Sequence, residues 1–113
     1  MITLPTMTLA PKHTIVASDS TIIILGASVT VFPTPYTEAL TVMRLSKNGN
    51  ILWSKNYYGP LRFTPEKIMQ LSDGNFIVSG LRAITSLNCR PFIMKIDGNG
   101  QVLWEKSYAK TGA

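Results

Sequence analysis

The sequence predicts an all-β chain made of two successive copies of one four-stranded antiparallel unit. Residues 42–57 recur at 93–108 with Asn-Gly, Trp, Lys and Tyr at matching positions, an offset of 51 residues. Short runs of β-branched and aromatic residues alternate with Asn-Gly and Asp-Gly pairs, as in strands joined by hairpins. Helical periodicity is absent. A period near 50 residues marks a repeat architecture in which each copy forms one supersecondary unit.

The upstream half of each copy also repeats, at an offset of 54. The identical pairs there are Pro11/Pro65, Ser18/Ser72, Asp19/Asp73, Ile23/Ile77 and Gly26/Gly80. The change of offset falls after the paired glycines, where a surface loop tolerates extra residues. The copies therefore span about 10–58 and 64–109 of a single domain. Residues 1–9 are an extra N-terminal segment, expected either to pair with a sheet edge or to be disordered.

Each copy reads as four strands separated by turn residues. The predicted strands are Lys12–Ser18, Thr21–Ala27, Leu40–Ser46, Asn50–Tyr58, Glu66–Ser72, Asn75–Leu81, Phe92–Asp97 and Gln101–Ala109. Asp73-Gly74, Asn99-Gly100 and Asn48-Gly49 predict tight hairpins, because Gly and Asn adopt positive φ readily. Proline cannot donate a ladder hydrogen bond and is expected outside strand interiors. The prolines concerned are Pro11, Pro33, Pro35, Pro60, Pro65 and Pro91.

The last strand of each copy has the same alternating pattern. Residues two apart share one face of a strand. The two predicted faces are Ile51, Trp53, Lys55 and Tyr57 in copy one, and Val102, Trp104, Lys106 and Tyr108 in copy two. A tryptophan at a fixed repeat position is expected to pack between neighbouring sheets, with its N–H on a polar partner. The alternative is a ligand-stacking role.

The order strand, Ser-Asp-Gly, strand, Gly, loop, strand, Asn-Gly and strand with Trp-x-Lys-x-Tyr resembles the β-propeller repeats of bacterial and archaeal surface and secreted proteins. Copy two carries the resemblance best, through Ser72–Gly80, Phe92–Asp97 and Trp104-Glu105-Lys106-Ser107-Tyr108. The resemblance covers about nine tenths of the chain and implies two tandem four-stranded propeller blades. It implies a scaffold rather than a particular activity, and a surface or secreted location.

Propellers close with four to eight blades, whereas this chain carries two. Two blades alone would expose sheet edges and apolar faces, which favours association. One interpretation is a homo-oligomeric ring, with a trimer giving six blades or a tetramer giving eight. The other is that the chain is a piece of a longer propeller.

Composition narrows the possible partners. The net charge is +5, but the eleven basic residues are scattered, which does not favour nucleic acid as a partner. The longest apolar run, residues 22–27, is too short to span a bilayer. No signal peptide is expected from residues 1–11. A single cysteine, Cys89, is compatible with a reducing or an oxidising compartment, so no localisation is predicted from these residues.

The sequence offers little material for catalysis or for cofactor and metal binding. A nucleophilic pair would need Cys89 with His13, and nothing in the sequence orients that imidazole. His and Cys are too few for a zinc site. Asp97-Gly98-Asn99-Gly100 looks like the start of a calcium loop but lacks its further carboxylates, so a turn is expected. We therefore expect no enzyme activity, no catalytic residue, no metal and no cofactor.

The segments that depart from the repeat are candidate binding loops, because function is often carried by such loops. These are residues 31–38, with Tyr36, and residues 82–90, with Arg82 and Arg90. The leading hypothesis is a non-enzymatic scaffold or binding module acting through protein or carbohydrate contacts. The alternatives are a lectin-like oligomer and a binder of anionic surfaces or nucleic acid. The candidate ligand or interface residues are Trp53, Tyr57, Trp104, Tyr108, Lys55, Lys106, Tyr36, Arg82 and Arg90.

Overall fold

The chain forms two antiparallel sheets that follow one another in sequence. A computed structural model describes residues 2–4, 7–30, 37–58, 63–85 and 88–108, with side chains at 9–29, 38–58, 63–83 and 88–108. The first sheet contains β1 (Ile2–Leu4), β2 (Met7–Val16), β3 (Ile22–Thr30), β4 (Thr37–Leu45) and β5 (Ile51–Tyr57). The second contains β6 (Phe63–Gln70), β7 (Phe76–Thr85), β8 (Asn88–Ile96) and β9 (Val102–Ser107). Strands are adjacent in sequence order in both sheets.

The all-β prediction is confirmed, and each of the eight predicted strands overlaps one of β2–β9. The first sheet has five strands rather than four, because β1 pairs with the start of β2. Of the two expectations for the N-terminal segment, edge pairing therefore holds for Ile2–Leu4. The described residues include no helix with the length and hydropathy that a membrane crossing demands.

The four hairpin turns of β2–β3, β4–β5, β6–β7 and β8–β9 share one backbone geometry. In the last of them Gly100 N donates to Asp97 O at 3.0 Å, and Asp97 N donates to Gln101 O at 2.9 Å. The fourth turn residue has positive φ each time, at Ser20, Gly49, Gly74 and Gly100. The expectation that Asn99 also needs positive φ was wrong, because in this four-residue turn positive φ falls on Gly100 and not on Asn99.

The expectation that prolines avoid the strands was wrong for Pro11, Pro65 and Pro91, which lie in β2, β6 and β8. The first two sit at a β-bulge, where the missing N–H costs no ladder hydrogen bond. Pro33, Pro35 and Pro60 lie outside the described residues. A bulge thus explains how a repeated proline can occur inside a repeated strand.

Each of the two bulge prolines pairs with the repeated glycine of the next strand, Pro11 with Gly26 and Pro65 with Gly80. A Cβ on Gly26 would overlap the carbonyl oxygen of Ala10, and one on Gly80 that of Thr64. Close approach of two backbones therefore requires glycine at both positions. This accounts for two of the identities that defined the repeat.

The predicted loop at 82–90 is largely strand. Arg82 in β7 pairs directly with Arg90 in β8, and Ala83 pairs with Cys89. The guanidinium of Arg82 forms an ion pair with Glu105 and lies over the ring of Phe63 at 5.5 Å. The prediction was wrong because residues that do not repeat were assumed to form a loop. Two paired strands can instead lengthen within the sheet, as β7 and β8 do.

The two sheets pack against each other, with β6 against β2, β3 and β4. Their core is apolar and joins one face of each sheet. The first sheet contributes Ile23, Leu25, Leu40 and Val42, and the second contributes Ile68, Phe76, Val78, Phe92, Met94 and Ile96. All of these side chains are at most 2% exposed. The junction between the sheets is thus the hydrophobic core of the described chain.

Candidate functional site

The face that the first sheet presents to the second is set by register. We call it the inner face; across neighbouring strands it consists of His13, Ile15, Ile23, Leu25, Leu40, Val42, Arg44, Trp53, Lys55 and Tyr57. The equivalent residues of the second sheet form what we call the open face. These are Lys67, Met69, Ile77, Ser79, Pro91, Ile93, Lys95, Trp104, Lys106 and Tyr108.

The inner face carries three side chains from β5, Trp53, Lys55 and Tyr57, which we call the clamp. Trp53 Nε1 donates to Gly98 O at 3.0 Å, and the Tyr57 hydroxyl donates to Gly100 O. A Cβ on Gly100 would lie 2.7 Å from Trp53 Cζ3 and 3.1 Å from Lys55 Cδ. The clamp therefore holds the turn of residues 97–100, the Asp97 turn, in direct contact. The shared face predicted for these three residues agrees with this contact.

Charge and burial reinforce the clamp. Asp97 Oδ1 accepts hydrogen bonds from Asn99 N and Gln101 N at 2.8 and 2.9 Å. These bonds, first that of Gln101, and the nearby Lys55 ammonium lower the pKa of the Asp97 carboxyl. Burial raises the pKa of the Tyr57 hydroxyl, and the Asp97 carboxylate adds to that shift. Tyr57 therefore stays a neutral donor at any physiological pH.

Arg44 is a second link between the sheets that sequence reasoning missed. Its Nη1 donates to Gly98 O at 2.8 Å, and its Nη2 pairs with Asp19 Oδ2 at 2.8 Å. The second copy repeats the ion pair, with Lys95 Nζ 3.1 Å from Asp73 Oδ2. A recurring cation in the third strand with a recurring turn carboxylate was the available signal.

His13 forms a hydrogen bond across the junction between the sheets. Its Nδ1 accepts the backbone N–H of Ile68 at 3.1 Å, so the neutral ring carries its proton on Nε2. A further bond joins Ser18 N to Gln70 Oε1 at 2.7 Å. The imidazole considered for catalysis therefore has a structural partner across the junction, while Cys89 lies in a β7–β8 pair.

The same side chains in copy two face solvent. Trp104 is 40% exposed and Tyr108 46% exposed, and Met69 of the same face is 56% exposed. The Lys106 ammonium lies over the Trp104 ring at 5.8 Å, within cation–π range. We call Trp104, Lys106 and Tyr108 the second clamp. It has the composition of the first clamp, and no turn of the described residues is seated on it.

A cavity of about 320 Å³ opens beside the bulges, where the two sheets meet. Its wall is mainly apolar, with Pro11, Phe63 and Pro65, and it includes Lys12 and Glu38. That volume lies at the small end of the range of small-molecule sites. Tyr36 lies outside the described residues, so its place relative to this cavity is not described.

The described side chains contain no group of three or more His, Cys, Asp and Glu that could hold a metal ion. The Asp97 turn is closed by its own backbone, because its carboxylate accepts two backbone N–H groups. The two sheets thus contact each other through apolar packing, through hydrogen bonds and through the charges of Lys55 and Asp97. No protein-family model matches this sequence, and no curated protein is significantly similar to it.

Proposed function

We propose that the chain is a non-enzymatic β-propeller scaffold or binding module, completed by association of copies into a closed ring. The observation that carries the proposal is the open face. It occupies, strand by strand, the positions that the first sheet buries against the second, and Trp104, Lys106 and Tyr108 recur there with their aromatic side chains exposed. Large exposed apolar faces on a small protein mark interaction sites.

The opposite outer face of the chain supports the same proposal. Ile68, Phe76 and Val78 are buried at the junction, whereas their copy-one equivalents Thr14, Ile22 and Ile24 are half-buried or exposed. The equivalents of Phe92 and Met94 are Thr41 and Met43, which are already buried within the chain. The described chain thus presents the open face and, on the opposite side, the partly exposed surface of Thr14, Ile22 and Ile24. A contact between these two surfaces of different copies is heterologous, and it gives a ring where the rotation closes.

The absolute mass in solution, measured by light scattering over a wide range of concentration, tests the proposal. A trimer or tetramer is expected, since three or four copies supply six or eight blades, within the range of closed propellers. A chain that stays monomeric at the highest concentration contradicts the proposal.

A lectin-like function is the second candidate, favoured by the exposed aromatic rings of Trp104 and Tyr108. Aromatic faces beside a polar group suit sugar stacking. Binding on a glycan array that disappears in Trp104→Ala, with the circular dichroism spectrum unchanged, is the expected result. Absence of binding to any glycan contradicts this candidate and leaves the scaffold proposal standing.

A further inference from the structure

The segment that fills the clamp has its own copy elsewhere in the chain. At the offset of 51 residues, the counterpart of the Asp97 turn is the turn of residues 46–49, which we call the Ser46 turn. Its backbone is the same: Gly49 N donates to Ser46 O at 2.9 Å, and Gly49 has a φ of 89° against 83° at Gly100. The Ser46 turn therefore has the shape that the clamp binds.

The Ser46 turn is also uncovered by the residues that the structure describes. A Cβ built on Gly49 would meet no described atom within 4 Å, whereas one on Gly100 would meet the Trp53 ring. Residues 47–50 are exposed throughout. Among the described residues, the first clamp and the Asp97 turn are thus occupied, whereas the second clamp and the Ser46 turn are free.

We infer that the second clamp binds the Ser46 turn of a second copy of this chain. This inference rests on the proposed function, since it names the contact through which copies would join. By equivalence with the internal junction, Trp104 Nε1 and Lys95 Nζ donate to the backbone carbonyl of Lys47 in the second copy. The Tyr108 hydroxyl donates to the carbonyl of Gly49. The contact is head-to-tail, because clamp and turn lie on different sheets.

The contact between copies lacks several features that strengthen the internal one. Ser46 stands where the Asp97 carboxylate lies near Lys55, so Lys106 gains no opposite charge. Lys67 stands where His13 accepts a hydrogen bond, and an ammonium has no acceptor. Ser79 and Pro91 replace the fully buried Leu25 and Leu40. Association between copies is therefore weaker than the internal junction and depends on concentration.

Two variants separate the halves of the contact. Trp104→Ala removes the centre of the second clamp and leaves the Ser46 turn intact. Gly49→Asn adds a side chain where the Trp104 ring would lie, and Asn adopts positive φ more readily than most other residues that carry a Cβ. Each variant alone is expected to be monomeric at concentrations where the wild-type chain assembles. An equimolar mixture is expected to form a dimer and nothing larger, because only one intact clamp and one intact turn can meet.

Circular dichroism and thermal unfolding of each variant confirm that it is folded before mass is measured. Variants that assemble like wild type, or a mixture that stays monomeric while wild type assembles, would overturn the inference and leave the proposed function intact. A monomeric wild type overturns both. The outcomes are distinct, since the first concerns the variants and the second concerns only the native chain.

A gain of affinity provides an independent check. Ser46→Asp places a carboxylate opposite Lys106, as Asp97 lies near Lys55 in the internal junction. We expect the concentration for half assembly to fall by about two- to fivefold, the effect of one exposed ion pair. Ser46→Asn is the matched neutral control and is expected to leave it unchanged. Equal effects of the two variants, or weaker assembly of Ser46→Asp, would count against the inference.

Discussion

Trp53 and Trp104 occupy the same position of two matching strands, yet Trp53 is bonded to a neighbouring turn and Trp104 faces solvent. The flanking Lys and Tyr residues are identical as well. The difference lies in the neighbour, because the second sheet covers the inner face of the first, whereas no described residue covers the open face of the second. A repeated motif therefore fixes what a surface can bind, while its position in the array decides whether it is occupied.

The largest effect of substitution is expected where the two copies do not differ. Gly26→Ala and Gly80→Ala each force a Cβ onto a backbone carbonyl oxygen that cannot move aside. We expect each to reduce the free energy of unfolding by at least about 3 kcal/mol, the upper range for overpacking. Urea unfolding followed by circular dichroism measures both. A difference of more than about 1 kcal/mol between them would mean that the bulges are not equivalent in energy.

Substitution of the two clamp tryptophans should give the largest difference in stability between the copies. Trp53→Ala removes a packed ring and a hydrogen bond to Gly98, and we expect a loss of about 3 kcal/mol in the free energy of unfolding. Trp104→Ala, measured in dilute solution, should change it by about 0.5 kcal/mol or less, as exposed substitutions usually do. Equal losses in the two variants would show that Trp104 is buried in the single chain.

Substitution of the turn glycines Gly49 and Gly100 should give a smaller difference in stability between the copies than substitution of the tryptophans. Alanine at Gly49 or Gly100 adopts an unfavourable positive φ in either case, at a cost of about 1 kcal/mol. Gly100→Ala also pushes the new methyl group against the Trp53 ring, and we expect about 1 kcal/mol more. Thermal unfolding of the pair gives the difference directly. In a Trp53→Ala background the extra cost at Gly100 should disappear.

The smallest effect concerns pH. The pKa of Asp97 in the folded chain lies below its ordinary value of 3.8. The ionised Asp97 therefore contributes fully to the free energy of unfolding at any pH well above 3.8. The contribution is lost as pH falls through the lower folded pKa, because the unfolded chain takes up the proton first. We expect Asp97→Asn to lower the melting temperature slightly at neutral pH and to weaken its decline in acid. Asp19 and Asp73 also have lowered pKa values, so the decline should persist in part.

Ser46→Asn is the matched control for the pH experiment. It changes the equivalent turn of copy one, where no carboxylate stands. Its acid dependence should follow that of the wild-type chain. A variant Asp97→Asn with the same acid dependence as wild type would show that the charge of Asp97 does not stabilise the fold.

Local sequence patterns predicted the strands and the turns, since alternation and Asn-Gly or Asp-Gly pairs act within a few residues. They did not place the prolines, because a bulge depends on the partner strand. They predicted the shared face of Trp53, Lys55 and Tyr57 but not the Asp97 turn that this face contacts. That contact depends on how one sheet lies on the next, and no local pattern encodes it.

The bulge at Pro65 has a consequence for how copies of the chain can aggregate. β6 is an edge strand of the second sheet, and exposed edges recruit other strands into fibrils. Here Pro65 lacks an amide hydrogen, the bulge at Glu66 interrupts the ladder, and the amide of Ile68 is already bonded to His13. Fibril growth along this edge is therefore obstructed, while the open face stays available for contact with another copy. The same strand that closes the internal junction thus blocks the addition of a further strand at its own edge of the sheet.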